Sequence, residues 1–418
     1  MVIKLENCRL VTDAEILHPG YLIIGDDGYI KEIGTENHQM ESQQWHDISP
    51  IDQCVNIDMD EKLDQTKQKN KSIKKMNLSG YYLLPGFIDF HTHGLHAYDF
   101  MDGDERALRQ ICHYQLKRGA TGFLATTMTD SESAVVAALE SAHNHLKKQR
   151  KAGQATNLLG INLEGPFISP LKKGIHNERW MVNPSAALLE KYHKLSGHNI
   201  KVVSMAPELE GAVEAISWCR QHGIIASAGH TNATYQELCQ ALRMGLDHGS
   251  HLFNAMSPIH HREPGAALAL LLHPEATVEL ICDKEHLHPT MIDLVLKLKP
   301  VDKVMLVSDT VRAAGLDDGE YQVGDVMIRL KSGRAETHKG KLAGGVVSLS
   351  ESLANLIEIT GLPLIKAVKT VALTPAKRLG LDHERGSLLP GKRGDAVIMD
   401  ECFQVKGTIV KGNMYWWE

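Results

Sequence analysis

The chain has 418 residues, of which 43% are hydrophobic and 23% charged, and its formal net charge is -6. This balance is typical of a globular protein with a large core, and it excludes a wholly disordered, collagen-like or coiled-coil chain. The net negative charge gives no general basic surface, which argues against nucleic acid as a partner.

The seven cysteines are scattered and form no C-x-x-C pair, so the sequence indicates neither a disulfide framework nor a thiolate zinc site. The first residues lack the apolar core of a signal peptide, and the longest apolar stretch, around Ala266 to Leu272, is too short to span a membrane. We therefore expect a cytoplasmic protein with no membrane partner. The 23 histidines are the unusual feature, because imidazole is the commonest metal ligand.

Both ends of the chain predict short strands joined by turns. Residues 22–33 predict a hairpin around the turn Gly25–Gly28, and residues 395–410 predict two more strands. We expect the two ends to share one small β-sandwich domain. Its predicted segments are residues 1–82 and 385–418, with a polar, lysine-rich insertion at about 41–77.

Residues 83–384 change to short apolar runs that alternate with stretches of helical length, which predicts repeated βα units around a parallel sheet. The eight apolar runs are 83–90, 122–127, 158–163, 202–206, 224–229, 247–253, 278–282 and 304–308. The predicted helices are 104–118, 131–150, 184–195, 209–221, 234–244, 265–273, 289–298, 350–359 and 364–373. Eight strands predict an α/β fold with a closed (β/α)8 TIM-like barrel, and this barrel is the expected catalytic domain.

Active sites of such barrels lie at the carboxyl ends of the strands, and polar residues end several of the predicted strands. They are Asp89, His91 and His93 after the first strand, Glu164 after the third, His230 after the fifth, His251 after the sixth and Asp309 after the eighth. Each has an ordinary alternative, since an H-x-H pair is often structural and Asp309-Thr310 can begin a helix. Together they predict a site for a divalent cation.

Longer strings resemble a known family. LPGFIDFHTHG from Leu84 is similar to the amidohydrolase superfamily. Further strings resemble its N-acetylglucosamine-6-phosphate deacetylases, namely NLEGPF from Asn162, GHTNAT from Gly229, HLFNAM from His251, HREPG from His261 and VSDT from Val307. The resemblance covers the barrel and the return of the chain to the end domain, whereas the lysine-rich insertion lies outside it.

The resemblance implies a metal centre and a proton carrier. By it, Glu164, His230 and His251 bind the main ion, and Glu164 can bridge to a second ion held by His91 and His93. One or two ions per subunit are expected, and zinc and iron both suit nitrogen and oxygen ligands. Asp309 is the expected general base, with simple metal ligation as its competing role.

The resemblance also implies the substrate contacts. The expected residues are His176, Asn254, Ala255, Arg262, His286, Leu342, Ala343 and Gly344. Arg262 is expected to reach the phosphate in the neighbouring site of a homodimer, where a guanidinium suits a phosphate. Lys284 stands where the family usually has glycine, so the loop that carries His286 departs from the pattern.

The expected activity is hydrolysis of the N-acetyl amide of N-acetylglucosamine 6-phosphate, a phosphorylated amino sugar, in amino-sugar catabolism. One alternative is the galactosamine epimer, because the sequence does not show the shape of the pocket. A cyclic-amide hydrolase or deaminase on the same barrel is a broader alternative, since a fold alone does not fix a function. A non-catalytic binding protein of the same fold is the alternative from another class, and the intact Glu164, His230, His251 and Asp309 argue against it.

Overall fold

The fold is given by a computed structural model that describes residues 2–36, 46–47, 73–152 and 157–417. Most of the predicted insertion at 41–77 therefore lies outside the described residues. The chain divides into two compact units. The first consists of Met1–Ile88, Gln115–Thr121 and Pro363–Glu418, and the second of Asp89–Tyr114 and Gly122–Leu362. The predicted domain bounds at 82 and 385 stay a prediction.

The two ends of the chain form one nine-stranded sheet, as the sequence predicts. Seven of its strands follow one another in the order Asn413–Trp416, Val405–Val410, Ala396–Met399, Tyr82–Pro85, Val2–Val11, Ile16–Ile24 and Ile30–Thr35. The strand Ile73–Asn77 also pairs with the strand Val2–Val11, and His46–Asp47 pairs with it in turn. The hairpin is confirmed, and Gly28 forms its turn at a φ of +79°, in the region that favours glycine.

The core of this sheet combines side chains from both ends of the chain. Leu5, Leu10 and Leu22 from the first strands are fully buried, and they belong to one apolar cluster with Ile398 and Ile409. Because residues on one face of a strand recur with a period of two, each strand contributes alternate side chains to the cluster. Neither terminal segment therefore has a complete apolar core without the other.

All eight predicted barrel strands are present and parallel, but the first predicted run, 83–90, is divided. Tyr82–Pro85 belongs to the sheet of the chain ends, and the barrel strand begins at Phe87. The eight barrel strands are Phe87–Thr92, Ala120–Thr126, Leu158–Glu164, Ile200–Met205, Ile225–Ala228, His248–Gly249, Thr277–Ile281 and Val304–Val307, and they neighbour one another in sequence order. Between the last strand and the first, the Asp309 amide donates to the His91 carbonyl at 2.9 Å, and Thr92 bridges to Thr310. The barrel prediction is therefore confirmed.

Helices follow the strands as predicted, except at 364–373. They span Glu105–Lys117, Glu132–Ala152, Ala186–Leu195, Ala212–Gln221, Tyr235–Met244, Gly265–Leu272, Pro289–Leu298, Leu349–Thr360, Leu364–Ala367 and Leu373–Arg378. Short 3-10 turns occur at Phe100–Asp102, Pro170–Lys172, Glu178–Trp180, Val301–Lys303 and Val368–Thr370. Among the described residues, no helix is both long and apolar enough to cross a membrane.

The predicted single helix at 364–373 is wrong. A short helix ends at Ala367, a 3-10 turn follows, and a new helix begins at Leu373. Pro375 lies in the first turn of that new helix, where its missing N–H is not needed, whereas in a continuous helix it would break the hydrogen-bond ladder. The Val371 carbonyl instead accepts from the Ile88 amide at 2.8 Å.

A small antiparallel sheet between the last barrel strand and the helix Leu349–Thr360 is absent from the sequence prediction. Its strands are Gly319–Val323, Val326–Lys331 and Arg334–Thr337. Its buried face, with Ile328 and Leu330, packs in one apolar cluster with Met128, Val311 and Ala343. This three-stranded sheet therefore supports residues that, as described below, line the candidate site.

Candidate active site

Barrel strands and the turns after them bring the predicted polar residues together. Glu164 is the last residue of the third strand, and His230, His251 and Asp309 each lie two residues after the end of their strand. The backbone of these three residues takes the left-handed conformation, with φ of +47°, +29° and +47°. Residues with a β-carbon rarely adopt this conformation, and such strain is typical of functional sites.

Glu164 lies at the centre of this group, buried and surrounded by imidazole nitrogens. Its Oε1 lies 3.0 to 3.4 Å, and its Oε2 3.2 to 3.6 Å, from the nearest ring nitrogens. The facing atoms are the Nε2 atoms of His91, His230 and His251 at Oε1 and of His93 and His176 at Oε2. Five imidazoles exceed what one carboxylate needs for hydrogen bonding, whereas this donor set suits divalent cations.

Asp309 forms a second group with the two histidines of the first strand. Its Oδ1 lies 3.6 Å from His91 Nε2 and 3.4 Å from His93 Nε2. Asp89, from the same strand, is turned away from this group, because its carboxylate accepts from the Ser308 hydroxyl at 2.5 Å and from the Ser308 amide. His91 and His93 therefore face the site, whereas Asp89 connects the first barrel strand to the end of the eighth.

The second ring nitrogen of each histidine determines what its Nε2 can do. The Nδ1 atoms of His230 and His251 face the carbonyl oxygens of Lys172 and Asn254, at 2.8 and 3.2 Å. A carbonyl can only accept, so each Nδ1 carries the proton and each Nε2 presents a lone pair to the site.

His91 follows the same rule, with a carboxylate as its partner. Its Nδ1 lies 3.0 Å from Oε2 of Glu279, so that its Nε2 also presents a lone pair. His176 differs, because its Nδ1 accepts from the Thr129 amide at 3.1 Å. The neutral His176 ring therefore carries its proton on Nε2, which makes it a hydrogen-bond donor in the site and a poor metal ligand.

These residues fit a divalent metal ion on two grounds. His91 Nε2 is buried and has no hydrogen-bond partner in the described part of the chain, which is costly unless something else uses its lone pair. Three triads of ligand atoms also lie within 4.8 Å of one another. They are His91, Glu164 and His251; His91, His93 and Asp309; and Glu164, His176 and His230. All of these candidate atoms are nitrogen or oxygen, the donors that catalytic zinc and iron sites use, and His176 is the one whose proton argues against ligation.

The electrostatics of the site favour ionised carboxylates. Burial disfavours the charged form of Asp309, but the positive charge of the facing His91, His93 and His251 in their protonated form outweighs it and lowers the pKa of Asp309 below its ordinary value. Burial likewise opposes the ionisation of Glu164, and the surrounding histidines, His91 first, hold its pKa well below the usual range. Asp309 is thus ionised at neutral pH and can accept a proton.

A cavity of about 260 Å³ opens beside the cluster. This volume suits one small ligand rather than a polymer. Twelve of the predicted residues line it, together with other neighbours. The twelve are His93, Glu164, His176, His230, His251, Asn254, Ala255, His286, Asp309, Leu342, Ala343 and Gly344. His91 is fully buried behind this lining.

Two predicted substrate residues need separate comment. Lys284 takes a φ of +67°, the conformation that a glycine would favour, and its ammonium group pairs with Glu358 at 2.8 Å. His286 still lines the cavity, held by a 2.6 Å contact between its Nδ1 and Asp283. Arg262 is exposed, contacts His261 Nε2 at 2.6 Å and is absent from the described lining of its own chain's cavity.

The sequence prediction missed several residues of this site. Met128, Val311 and Lys341 line the cavity, and Glu279 lies behind His91. Met128, Val311 and Lys341 carried no signal, since apolar residues and lysines of that kind occur throughout the chain. Glu279 did carry one, because it is a charged residue in the otherwise apolar seventh strand Thr277–Ile281.

Comparison with known proteins gives the class of this fold and site. The family model described as "Amidohydrolase family" matches residues 82–415. The N-acetylglucosamine-6-phosphate deacetylase of Bacillus subtilis (strain 168) is 32% identical over 410 residues, which cover 98% of this chain and 96% of that protein. The N-acetylgalactosamine-6-phosphate deacetylase of Escherichia coli O157:H7 is 33% identical over 332 residues, covering 79% and 87%.

A solved structure gives the same result. A mutant of N-acetyl-D-glucosamine-6-phosphate deacetylase from Mycobacterium smegmatis, in complex with N-acetyl-D-glucosamine-6-phosphate, is similar with a TM-score of 0.84 and 26% identity, over 99% of this chain and 98% of that one. The chain belongs to the amidohydrolase family. Within it, the chain is a member of the N-acetylglucosamine-6-phosphate deacetylases, hydrolases that act on a linear amide.

Proposed function

We propose that this protein is a divalent-metal-dependent enzyme that hydrolyses the N-acetyl amide of N-acetyl-D-glucosamine 6-phosphate. The products are D-glucosamine 6-phosphate and acetate, a step of amino-sugar catabolism. One observation carries the proposal: a buried carboxylate, Glu164, has five imidazoles around it and opens, with the ionised Asp309, into a cavity sized for one sugar. The relatives' names supply the substrate class.

Glu164, His230 and His251 would hold the main ion, and His91 and His93 would hold a second ion with Glu164. We propose zinc or iron at one or both positions, because both accept nitrogen and oxygen ligands. A bound divalent ion supplies Lewis acidity, which lowers the pKa of water and polarises an amide carbonyl. His176 is left outside this ligand set, because its Nε2 carries a proton.

Asp309 would move the protons of the reaction. Its ionised carboxylate accepts the proton of the attacking water and then gives that proton to the departing amine, which is a poor leaving group until it is protonated. His91 and His93 flank Asp309 at 3.6 and 3.4 Å and fix where its carboxylate points. A single carboxylate can thus serve as base and then as acid.

The substrate contacts are proposed from the lining of the cavity. The His176 Nε2–H can donate to an oxygen of the substrate, and His286, held by Asp283, lines the same cavity and can contact the substrate. Asn254 and Ala255 offer a side-chain amide and backbone groups, and Leu342 to Gly344 form a wall next to the sugar. We propose that Arg262 of a second copy binds the phosphate, which makes the functional form a homodimer.

Acetate release from three substrates tests this function. The wild type and Asp309→Asn are assayed with N-acetylglucosamine 6-phosphate, its galactosamine epimer and unphosphorylated N-acetylglucosamine. We expect release from the phosphorylated glucosamine derivative by the wild type, little release without the phosphate, and a strong loss in Asp309→Asn. If metal-loaded protein released no acetate from either phosphorylated sugar, the proposed reaction would be wrong.

The galactosamine epimer is the second candidate substrate. The 33% identity to the Escherichia coli O157:H7 relative, similar to the 32% identity to the Bacillus subtilis protein, favours keeping both epimers in the assay. Comparison of the two kcat/KM values decides between them, because the two sugars differ in the configuration of one hydroxyl. A larger kcat/KM for the galactosamine derivative would assign the enzyme to the other epimer.

A further inference from the structure

Glu279 is a buried carboxylate that neither the ligand set nor the proposed reaction uses. It lies in the seventh barrel strand, Thr277–Ile281, and no part of it is exposed. Three donors surround it, each at 3.0 Å: the Nδ1 of His91, the Nε2 of His248 and the backbone N–H of His251. A carboxylate at such depth is costly, and these three contacts provide the hydrogen bonds that it requires.

The two carboxylate oxygens of Glu279 have different partners, and one of them connects His91 with His251. Oε2 accepts from His91 Nδ1 and from the amide of His251, whereas Oε1 faces His248. His91 comes from the first strand and His251 follows the sixth, so one oxygen atom connects two non-adjacent barrel strands. Any rotation of the Glu279 carboxylate would move both histidines.

His91, His230 and His251 all present the lone pair of Nε2 to the site, but the partner of Nδ1 is different in His91. The Nδ1 atoms of His230 and His251 face neutral carbonyl oxygens, whereas that of His91 faces the charge of Glu279. A carboxylate behind an imidazole fixes the tautomer more strongly than a carbonyl and raises the basicity of the outer nitrogen. The influence of Glu279 should therefore fall mainly on His91.

We propose that Glu279 is a positioning residue that makes the His91 and His93 position a competent ion site. It keeps the proton of His91 on Nδ1, so that Nε2 faces Glu164 and Asp309 with its lone pair, and it aligns the backbone of His251. The ion at this second position depends on Glu279, whereas the ion at Glu164, His230 and His251 depends on it only through the backbone of His251. This inference rests on the metal dependence of the proposed function.

Two substitutions separate charge from shape. In Glu279→Gln, the amide oxygen can still accept from His91 and His251, and the amide nitrogen can donate to His248, so the shape is kept and the charge is lost. We expect this variant to bind the second ion about 10- to 100-fold more weakly, and the first ion with an unchanged affinity. Glu279→Ala also removes the shape, and we expect it to retain one ion per chain.

Thr277→Val is the matched control. Thr277 lies on the same strand, is buried, and its hydroxyl contacts His248 Nδ1 at 2.6 Å, but it does not touch His91. If Glu279 acts on the ion through His91, Thr277→Val should bind both ions with wild-type affinity. Equal weakening in Thr277→Val and Glu279→Gln would show that loosening of the strand is the cause and would overturn the inference.

The experiment is a titration of the full chain, stripped of metal with a chelator, with Co²⁺. The visible absorption of bound Co²⁺ reports each ligand set, metal analysis gives the number of ions, and far-UV circular dichroism confirms that each variant is folded. If both Glu279 variants bound two ions with the same affinities as the wild type, the role of Glu279 would be overturned and the proposed function would stay intact. A wild type that binds no ion would instead contradict the proposed function.

Discussion

His176 and His230 both place Nε2 within 3.6 Å of Glu164, yet their second ring nitrogens face opposite partners. The Nδ1 of His230 faces the carbonyl of Lys172, and that of His176 faces the amide of Thr129. Distance alone groups both histidines with Glu164 as a set that could hold an ion. The direction of the backbone partner distinguishes them, because it leaves a lone pair on Nε2 of His230 and a proton on Nε2 of His176.

This difference predicts the metal content of single variants. His230→Ala or His251→Ala should empty the main position, and His91→Ala should cost at most the second ion. His176→Ala should keep the ions of the wild type and lose activity, because only a proton donor is removed. Metal analysis of the purified variants measures the result. Full metal content in a His230→Ala, His251→Ala double variant would contradict the assignment, and so would an ion-free His176→Ala.

Substitution of Asp309 tests its part in proton transfer. Asparagine has the same shape but cannot accept a proton at neutral pH, so Asp309→Asn should fold and keep its ions while kcat falls by about 10²-fold or more. Steady-state kinetics and metal analysis on the same preparation measure both effects. Loss of the ions together with the activity would favour the competing role of Asp309 as a ligand, and a near-normal kcat would remove it from the mechanism.

The sequence predicted the residues at the ends of strands and missed those that contact the site histidines through their second ring nitrogen. His91, Glu164, His251 and Asp309 could be predicted because the ends of parallel strands meet at one edge of a barrel. The proton positions could not, because they depend on backbone groups such as the Thr129 amide, which every residue possesses. The contacts of Glu279 are equally invisible, since 188 residues separate it from His91.

At the scale of elements, most helices and barrel strands were predicted well, because the strands are continuous apolar runs and the helices are longer stretches between them. The three-stranded sheet was not, since Met327 on the strand Val326–Lys331 is 42% exposed and blurs the alternation that Ile328 and Leu330 follow. The helix predicted at 364–373 failed because its apolar period continues across the point where the backbone turns. Periodicity reports which faces are buried, and does not report where a hydrogen-bond ladder stops.

The helix Ala186–Leu195 contains a buried histidine that takes no part in the candidate site. His193 is 7% exposed, and its ring lies 5.7 Å from that of Trp218 and 4.6 Å from that of His198. Burial, together with His198, His222 and Lys201, outweighs the attraction of Glu190 and lowers the pKa of His193 from 6.5 to about 4. The folded protein thus resists protonation here, whereas the unfolded chain does not.

We predict a loss of stability in acid at this position. Because the folded pKa lies below the unfolded one, the stabilisation is complete above pH 6.5 and is lost as the pH falls from 6.5 towards 4. Between pH 7.5 and pH 5, His193 should lower the free energy of unfolding by about 2 kcal/mol. The unfolding free energy of His193→Gln and of the wild type is measured in urea at both pH values. From pH 7.5 to pH 5 it should decrease by about 2 kcal/mol less in His193→Gln than in the wild type.

The control for this prediction is His338→Gln, which changes an exposed histidine that follows the three-stranded sheet. Its unfolding free energy should depend on pH as the wild type's does. All other ionisable groups are the same in the three proteins, so their contribution cancels in the comparison. If His193→Gln and His338→Gln had the same pH dependence as the wild type, His193 would not resist protonation as described.

At the scale of the whole molecule, one chain offers little positive charge to a phosphate. Among the described residues that line the cavity, Lys341 is the one lysine and no arginine is present. Its ammonium group is already engaged with the carbonyl of Gly174 at 2.9 Å. A phosphate dianion is usually bound by charge-assisted contacts, to which the planar guanidinium is best suited. The exposed Arg262 of a second chain would supply what the cavity lacks.

Mixing two inactive variants tests whether Arg262 acts on the neighbouring site. Asp309→Asn protomers are combined in equal amounts with Arg262→Ala protomers, and acetate release is measured after subunit exchange. If Arg262 acts across the dimer, each mixed dimer has one site with an intact Asp309 and a partner's Arg262, while its other site has both lesions. With random exchange half of the dimers are mixed, so about a quarter of the wild-type activity should appear.

The same two lesions placed on one chain give the matched control. When the Asp309→Asn, Arg262→Ala double variant is mixed with wild type, Arg262 acting across the dimer leaves both sites of every mixed dimer defective. About a quarter of the wild-type activity should then remain, whereas an Arg262 that serves its own chain would leave about half. In that case the mixture of single variants would also stay at the average of its two inactive components. The two mixtures contain the same lesions in the same amounts, so the difference between them depends only on which chain supplies Arg262.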